Sequence, residues 1–231
     1  MSTIAASCIQ QGAGSVTPPG NYDFGDFGGD DSAWLLRRYR LGLGLCVCAI
    51  VMLFVGLTSA YVVRRGISAY DPASGAYSTA WEPLHLPMAL LVVNTLVLIA
   101  ASLTIEVARR ASRTASCVSV PKLEEYAAQV WSVSSLLLLA GFIAGQTVAW
   151  QQLRASGELL TSGARAAFFY VLTGTHAAHA VIGLFLVAWI VLPGLAHRSA
   201  TRRYIATDLT AWYLHSMTAL WIYLFVFLLI G

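Results

Sequence analysis

Three histidines stand within apolar stretches of this 231-residue sequence, where ionisable side chains are rare. His176 and His179 are three residues apart, so on a helix they share one face, and His215 lies in the last apolar stretch. Three imidazoles on neighbouring helices suggest a metal ion or a haem, but such a site needs a complete ligand set. No cysteine or carboxylate completes one in the sequence. We therefore expect the histidines to form hydrogen bonds between helices, with a proton relay as the alternative because histidine titrates near neutral pH.

Other polar residues in the apolar stretches are expected to face a second helix or another subunit, because a polar group in hydrocarbon must find a partner. No catalytic, cofactor-binding or metal-ligating residue is expected in the chain. The acidic residues Glu106, Glu124, Glu125 and Glu158 are interpreted as solvated loop charges beside basic residues. The candidates for interhelical or subunit-interface contacts are Asn94, Thr95, Gln146, Thr173, His176, His179, His215 and Trp221.

The composition indicates an integral membrane protein. Hydrophobic residues make up 58% of the chain and charged residues 11%, with a mean hydropathy of +0.69. A soluble chain carries about 25% charged residues. The net charge is +3, and the arginines cluster beside apolar runs, which is typical of residues that orient helices in a membrane. No nucleic-acid partner is expected.

Five apolar runs are each long enough to cross a bilayer. At about 1.5 Å per residue they span a hydrocarbon core of roughly 30 Å as helices. They lack the alternation with period two of barrel strands, and only helices or closed barrels satisfy the backbone in lipid. We predict an all-α, polytopic bundle of five transmembrane helices, with runs at 41–63, 84–105, 130–150, 166–195 and 209–230.

The sequence divides into two parts. Residues 1–33 are rich in Gly, Ser, Pro and Asp and carry too few apolar residues to build a core, so a flexible N-terminal tail is predicted. Residues 34–231 form the predicted transmembrane domain.

Basic residues are distributed unequally between the two sides of the predicted bundle, ten against four, which places the N-terminus in the cytoplasm and the C-terminus outside. The poorer side carries Arg64, Arg65, Arg154 and Arg165. The richer side carries Arg37, Arg38, Arg40, Arg109, Arg110, Arg113, Lys122, Arg198, Arg202 and Arg203.

Short motifs follow one another in the last four runs. The second run contains Pro87 and then Asn94-Thr95, and the third ends in Gly145-Gln146-Thr147-Val148-Ala149-Trp150. The fourth contains Thr173-Gly174-Thr175-His176-Ala177-Ala178-His179, and the fifth contains Trp212-Tyr213-Leu214-His215 and Trp221. This order resembles subunit III of the haem–copper (cytochrome c) oxidases, in the family's five-helix form.

The resemblance implies a non-catalytic subunit of a proton-pumping terminal oxidase that reduces oxygen to water. No redox centre belongs to this subunit, because the haems and copper reside in subunits I and II. The implied partners are subunit I by direct contact, subunit II and bound phospholipid, with cytochrome c or quinol as electron donor to the complex. The implied location is the inner membrane of a prokaryote.

Three positions depart from the family pattern. Ile50, Ala149 and Thr218 stand where the family has carboxylates in the first, third and fifth of these helices, so roles that depend on those carboxylates are not transferred. Two alternative functions stay open at this point. One is an accessory subunit of a nitric oxide reductase of the same superfamily, and the other is a free-standing haem-binding membrane anchor or transporter.

The charge bias makes topology testable. An alkaline phosphatase fused after Gly231 should be active, because five crossings from a cytoplasmic N-terminus bring that residue to the outer side, where the enzyme folds. A fluorescent protein that folds only in the cytoplasm serves as the reciprocal control. Fluorescence at Gly231 without phosphatase activity would reverse the predicted orientation.

Overall fold

Five long helices dominate the structure, a computed structural model that describes residues 29–67, 69–71, 76–78, 87–115, 122–158, 163–192 and 200–230. All five helices are long and apolar enough to cross a membrane, which confirms the predicted class. They are α1 (Gly29–Gly66), α2 (Met88–Ala115), α3 (Lys122–Ala155), α4 (Ala164–Val191) and α5 (Ala200–Ile230).

The helices continue beyond the apolar runs at one end of the bundle. α5 begins at Ala200 and α3 at Lys122, well before the runs predicted from residues 209 and 130. Apolarity marks only the part of a helix inside hydrocarbon, whereas backbone hydrogen bonding continues into the polar layer. α1 likewise begins at Gly29, inside the segment 1–33 predicted as a tail. Residues 1–28 lie outside the described residues.

The fourth run was predicted to reach residue 195, and the helix is shorter. α4 ends at Val191, and Leu192 is extended, with φ −61° and ψ 140°. The next residue in the sequence is Pro193, and a proline disfavours helical geometry in the residue before it.

One small β-hairpin, which the sequence analysis did not anticipate, lies between α1 and α2. β1 (Ala69–Asp71) pairs with β2 (Ala76–Ser78) in antiparallel register, with Tyr70 opposite Tyr77. The hairpin lies outside the five candidate spans, so the membrane part of the described chain is helical throughout.

Four helices, α2 to α5, form the centre of the bundle, and α1 lies at its periphery. α2 lies against α3 and α5, and α4 lies against α3 and α5. Helix α1 touches α4 and α5 and has the smallest buried share of the five spans. The largest fully buried side chains of the core are Trp221, Tyr61, Phe54, Phe142 and Phe169.

Candidate functional site

Asn94 on α2 and Gln146 on α3 meet in the interior of the bundle. Asn94 Nδ2 donates to Gln146 Oε1 over 3.5 Å, and both side chains are buried. Gly145 makes this approach possible, because a Cβ atom at that position would collide with the Asn94 amide. The glycine in the third motif therefore has a packing function between α2 and α3.

Two tryptophans tie further helix pairs together through threonine hydroxyls. Trp221 Nε1 donates to Thr95 Oγ1 over 3.0 Å, joining α5 to α2. Trp150 Nε1 donates to Thr173 Oγ1 over 3.0 Å, joining α3 to α4. Each threonine hydroxyl also donates to a carbonyl one turn earlier in its own helix. Together with the Asn94–Gln146 pair, these bonds bring in five of the eight candidate residues.

His176 sits in the interior without a hydrogen bond. Its ring is fully buried among Trp221, Phe142 and Phe54, with ring centroids 4.9, 6.0 and 6.4 Å away. Neither ring nitrogen has a partner within the part of the chain that the structure describes. Among the described residues, His176 thus makes no direct hydrogen bond to another helix.

His179 bonds within its own helix. Its Nδ1 lies 2.7 Å from the Thr175 carbonyl oxygen, so this nitrogen carries the proton. The contact to α5 uses the backbone instead, because the Tyr213 hydroxyl donates to the His179 carbonyl over 2.9 Å. Phe54 of α1 packs 6.0 Å from the imidazole, so both histidines of α4 face α1.

His215 links α5 to α2 through two side chains. Nδ1 lies 2.6 Å from Ser102 Oγ, and Nε2 lies 3.4 Å from Glu106 Oε2. The interpretation of Glu106 as a loop charge was wrong: it lies within α2, its side chain is 17% exposed, and it bonds to Arg109 and Arg110. The helix continues past the apolar run, and this extra length brings the carboxylate to the histidine.

Asp208 is a buried carboxylate that the sequence analysis missed. Its side chain is 0% exposed and receives Arg40 Nε at 2.9 Å, Arg40 Nη2 at 2.8 Å and Arg109 Nη1 at 3.1 Å. It therefore joins α5 to α1 and α2. The available signal was an isolated acidic residue just before the fifth apolar run, on the side that carries most of the arginines.

A cavity of about 480 Å³ opens beside this charged cluster. It is lined by Glu106, Arg109, Trp212, His215 and Ser216. Glu106 lies about 27 Å along α2 from Met88, so the cavity is near one edge of a roughly 30 Å hydrocarbon core. The lining offers a carboxylate, a guanidinium, an imidazole, a hydroxyl and an indole, which suit a polar or zwitterionic group at the membrane surface.

The three positions that depart from the family pattern are buried. Ile50, Ala149 and Thr218 are 8%, 1% and 7% exposed, and the Thr218 hydroxyl donates to the Leu214 carbonyl of its own helix. Among the described residues, no group of three or more His, Cys, Asp or Glu side chains could hold a metal ion.

Fold and site together define a polytopic helical membrane protein whose intramembrane polar side chains mostly connect its own helices. Comparison with known proteins gives the family: the family model described as cytochrome c oxidase subunit III matches residues 23–230. The chain belongs to this family, as the order of its motifs indicated.

Several curated relatives cover most of the chain. It is 28% identical over 76% of its length to the Nocardia farcinica protein named "Probable cytochrome c oxidase subunit 3", of which 79% is covered. It is 27% identical to the cytochrome c oxidase subunit 3 of Thermostichus vulcanus, over 82% of this chain and 86% of that one. It is also 27% identical to the quinol oxidase subunit 3 of Bacillus subtilis, over 82% and 85%.

The buried position of Asp208 leads to a stability prediction. Asp208→Asn should lower the free energy of unfolding by about 1.5–3 kcal/mol, because hydrogen bonds to charged groups are lost and two guanidinium groups keep only a neutral amide. Unfolding of the purified chain in detergent measures the change. Hydrogen exchange should show the loss of protection concentrated in α1.

Glu125→Gln is the matched control. Glu125 also bonds an arginine of α5, Arg203 at 3.0 Å, but its side chain is 39% exposed. An ion pair whose carboxylate is open to solvent contributes about 0–1 kcal/mol, so this variant should unfold almost as the native chain does. If both substitutions lowered the free energy of unfolding equally, the bonds of Asp208 would stabilise the bundle no more than a surface ion pair does.

Proposed function

We propose that the chain is the non-catalytic subunit III of a proton-pumping haem–copper terminal oxidase, which reduces oxygen to water in aerobic respiration. The family match carries this proposal, because residues 23–230 include all five helices. Relatives named as cytochrome c oxidase and quinol oxidase subunits both occur, so the proposed donor to the complex is cytochrome c or quinol.

The proposed partners are subunit I, by direct contact, and subunit II. Family membership makes the chain part of a multisubunit oxidase. Helix α1 supports a lateral contact within the membrane, since it keeps large apolar side chains on its outer surface, such as Leu45 (66% exposed) and Met52 (71% exposed). The haems and copper are assigned to these partners, as the family resemblance implies.

The proposed location is the inner membrane of a prokaryote, with the N-terminus in the cytoplasm. The bias of basic residues supports this orientation. Arginines of the richer side lie close together in the structure, as the orientation requires. Arg40 and Arg109 share Asp208, and Arg203 pairs with Glu125.

Bound phospholipid is proposed as a further component, and the cavity beside Arg109 is a suitable place for its headgroup. A lipid phosphate would find the guanidinium of Arg109 and the indole of Trp212 near the edge of the hydrocarbon core. A headgroup amine would find the carboxylate of Glu106. Packing of this lipid would support subunit I stability and sustained proton uptake, the functions that the family resemblance implies.

The alternatives receive less support. The relatives are named as cytochrome c or quinol oxidase subunits, which favours an oxidase over a nitric oxide reductase accessory subunit. The names of the relatives likewise give no support to a free-standing haem-binding anchor or transporter.

Copurification tests the proposed function. The affinity-tagged chain, solubilised in mild detergent from its native membrane, should bring down a large polytopic subunit with haem and copper and with oxygen-reducing activity. The chain separated from that complex should give no Soret band and no stoichiometric metal. Recovery with a nitric oxide reductase, or a haem spectrum from the isolated chain, would contradict the proposal.

The histidines lead to a second prediction. His179→Ala and His215→Ala should leave the initial rate of oxygen reduction largely intact, because their contacts are within this subunit: the Thr175 carbonyl for the first, and Ser102 and Glu106 for the second. Membrane hydrogen bonds contribute about 0.6–2 kcal/mol, enough to loosen the subunit. We expect weaker retention in detergent or faster inactivation during turnover.

Initial rate and inactivation half-life in the purified complex measure these effects. Thr218→Val is the control for His215, because its hydroxyl bonds only one turn back to the Leu214 carbonyl and it does not line the cavity. Abolition of the initial rate by either histidine substitution, with the subunit bound and the haem spectrum normal, would favour the proton-relay alternative.

A further inference from the structure

The interior of the bundle contains three buried polar atoms that lack a partner. They are both ring nitrogens of His176 and the Nε2 atom of Gln146, and they are the only such side-chain atoms among the residues that the structure describes. A buried donor without an acceptor costs about 1–3 kcal/mol, so native proteins rarely leave one. Three in one chain, on two side chains, therefore call for a common explanation.

The two side chains belong to one cluster. Phe142 and Gln146 are four residues apart on α3, so they share a helix face, and Phe142 packs edge-on against the His176 ring with centroids 6.0 Å apart. Trp221 packs against both rings, 5.2 Å from Phe142 and 4.9 Å from His176. Phe142, one helical turn from Gln146, thus contacts both His176 and Trp221 where α3, α4 and α5 meet.

From this arrangement we propose that His176 and Gln146 bind one internal water molecule at the centre of the helix bundle. Whichever neutral tautomer His176 adopts, it has one N–H donor and one acceptor nitrogen, while the Gln146 amide nitrogen only donates. The water accepts from the Gln146 amide, and at one ring nitrogen of His176 it either accepts from the N–H or donates to the unprotonated nitrogen. One water reaches only one of the two ring nitrogens, because they point in different directions from the ring. Buried waters typically make two to four such hydrogen bonds to groups that lack other partners.

A larger ligand or a side chain of a neighbouring subunit does not fit these observations. His176 is 0% exposed and Gln146 is 1% exposed, so a group from outside the chain has no surface of either to contact. The surrounding Phe142, Trp221 and Phe54 offer no oxygen acceptor. The water would bridge α3 to α4, adding to the Trp150–Thr173 bond between the same helices.

Water-edited solid-state NMR of the full chain in lipid bilayers tests the site. With ¹⁵N-labelled histidine, the His176 ring signals, assigned by their loss in His176→Phe or from backbone connections, should receive polarisation from water. Gln146→Met keeps the length of the side chain and removes the donor, together with the acceptor of the Asn94 amide, so the transfer to His176 should be lost. Thr218→Val is the matched control, because its buried hydroxyl is already bonded to Leu214.

Each result decides the question. Transfer that is present in the native chain, lost in Gln146→Met and kept in Thr218→Val supports the shared water. No transfer in the native chain would mean a dry imidazole held by aromatic faces, and this measurement requires no variant to fold. Transfer that survives Gln146→Met, or that Thr218→Val also removes, would overturn the assignment of the water to these two side chains. None of these outcomes depends on the proposed oxidase function.

Discussion

Hydrocarbon offers no water to a polar group, and the architecture of this chain follows from that constraint. Every backbone amide in the membrane must be bonded within the protein, which requires helices across the full hydrocarbon core. Side chains are subject to the same requirement. Asn94 meets Gln146, Trp221 meets Thr95, and Trp150 meets a threonine of α4, so each polar group also specifies which helices are neighbours.

Two polar regions hold the bundle in different ways. In the interior the partners are neutral amides, hydroxyls and indoles, whose burial costs little once they are bonded. At the end that carries most of the basic residues the partners are charged, and Asp208 binds both Arg40 and Arg109. The first region connects the four central helices. The second attaches α1, the helix with the smallest buried share of the five.

The separation between a neutral interior and a charged edge is relevant to the proposed function. The family's carboxylates are absent at Ile50, Ala149 and Thr218, and all three positions are buried. Carboxylates of the described membrane part instead lie near one edge, where Glu106 contacts His215 beside an open cavity. Glu106 and Asp208 thus lie near the edge of the membrane, whereas His176 lies in the interior.

The sequence by itself determined the five membrane helices, their order and the family, because long apolar runs and the order of motifs such as Thr173 to His179 need no tertiary information. It also identified side chains that require partners in lipid. Only the tertiary structure decided which partners they have. The sequence analysis interpreted Glu106 as a loop charge and missed Asp208. Their importance arises because α2 and α5 extend past their apolar runs, where Glu106 contacts His215 and Asp208 binds Arg40 of α1 and Arg109 of α2. Hydropathy measures contact with lipid, and it carries no information on which helix faces come together.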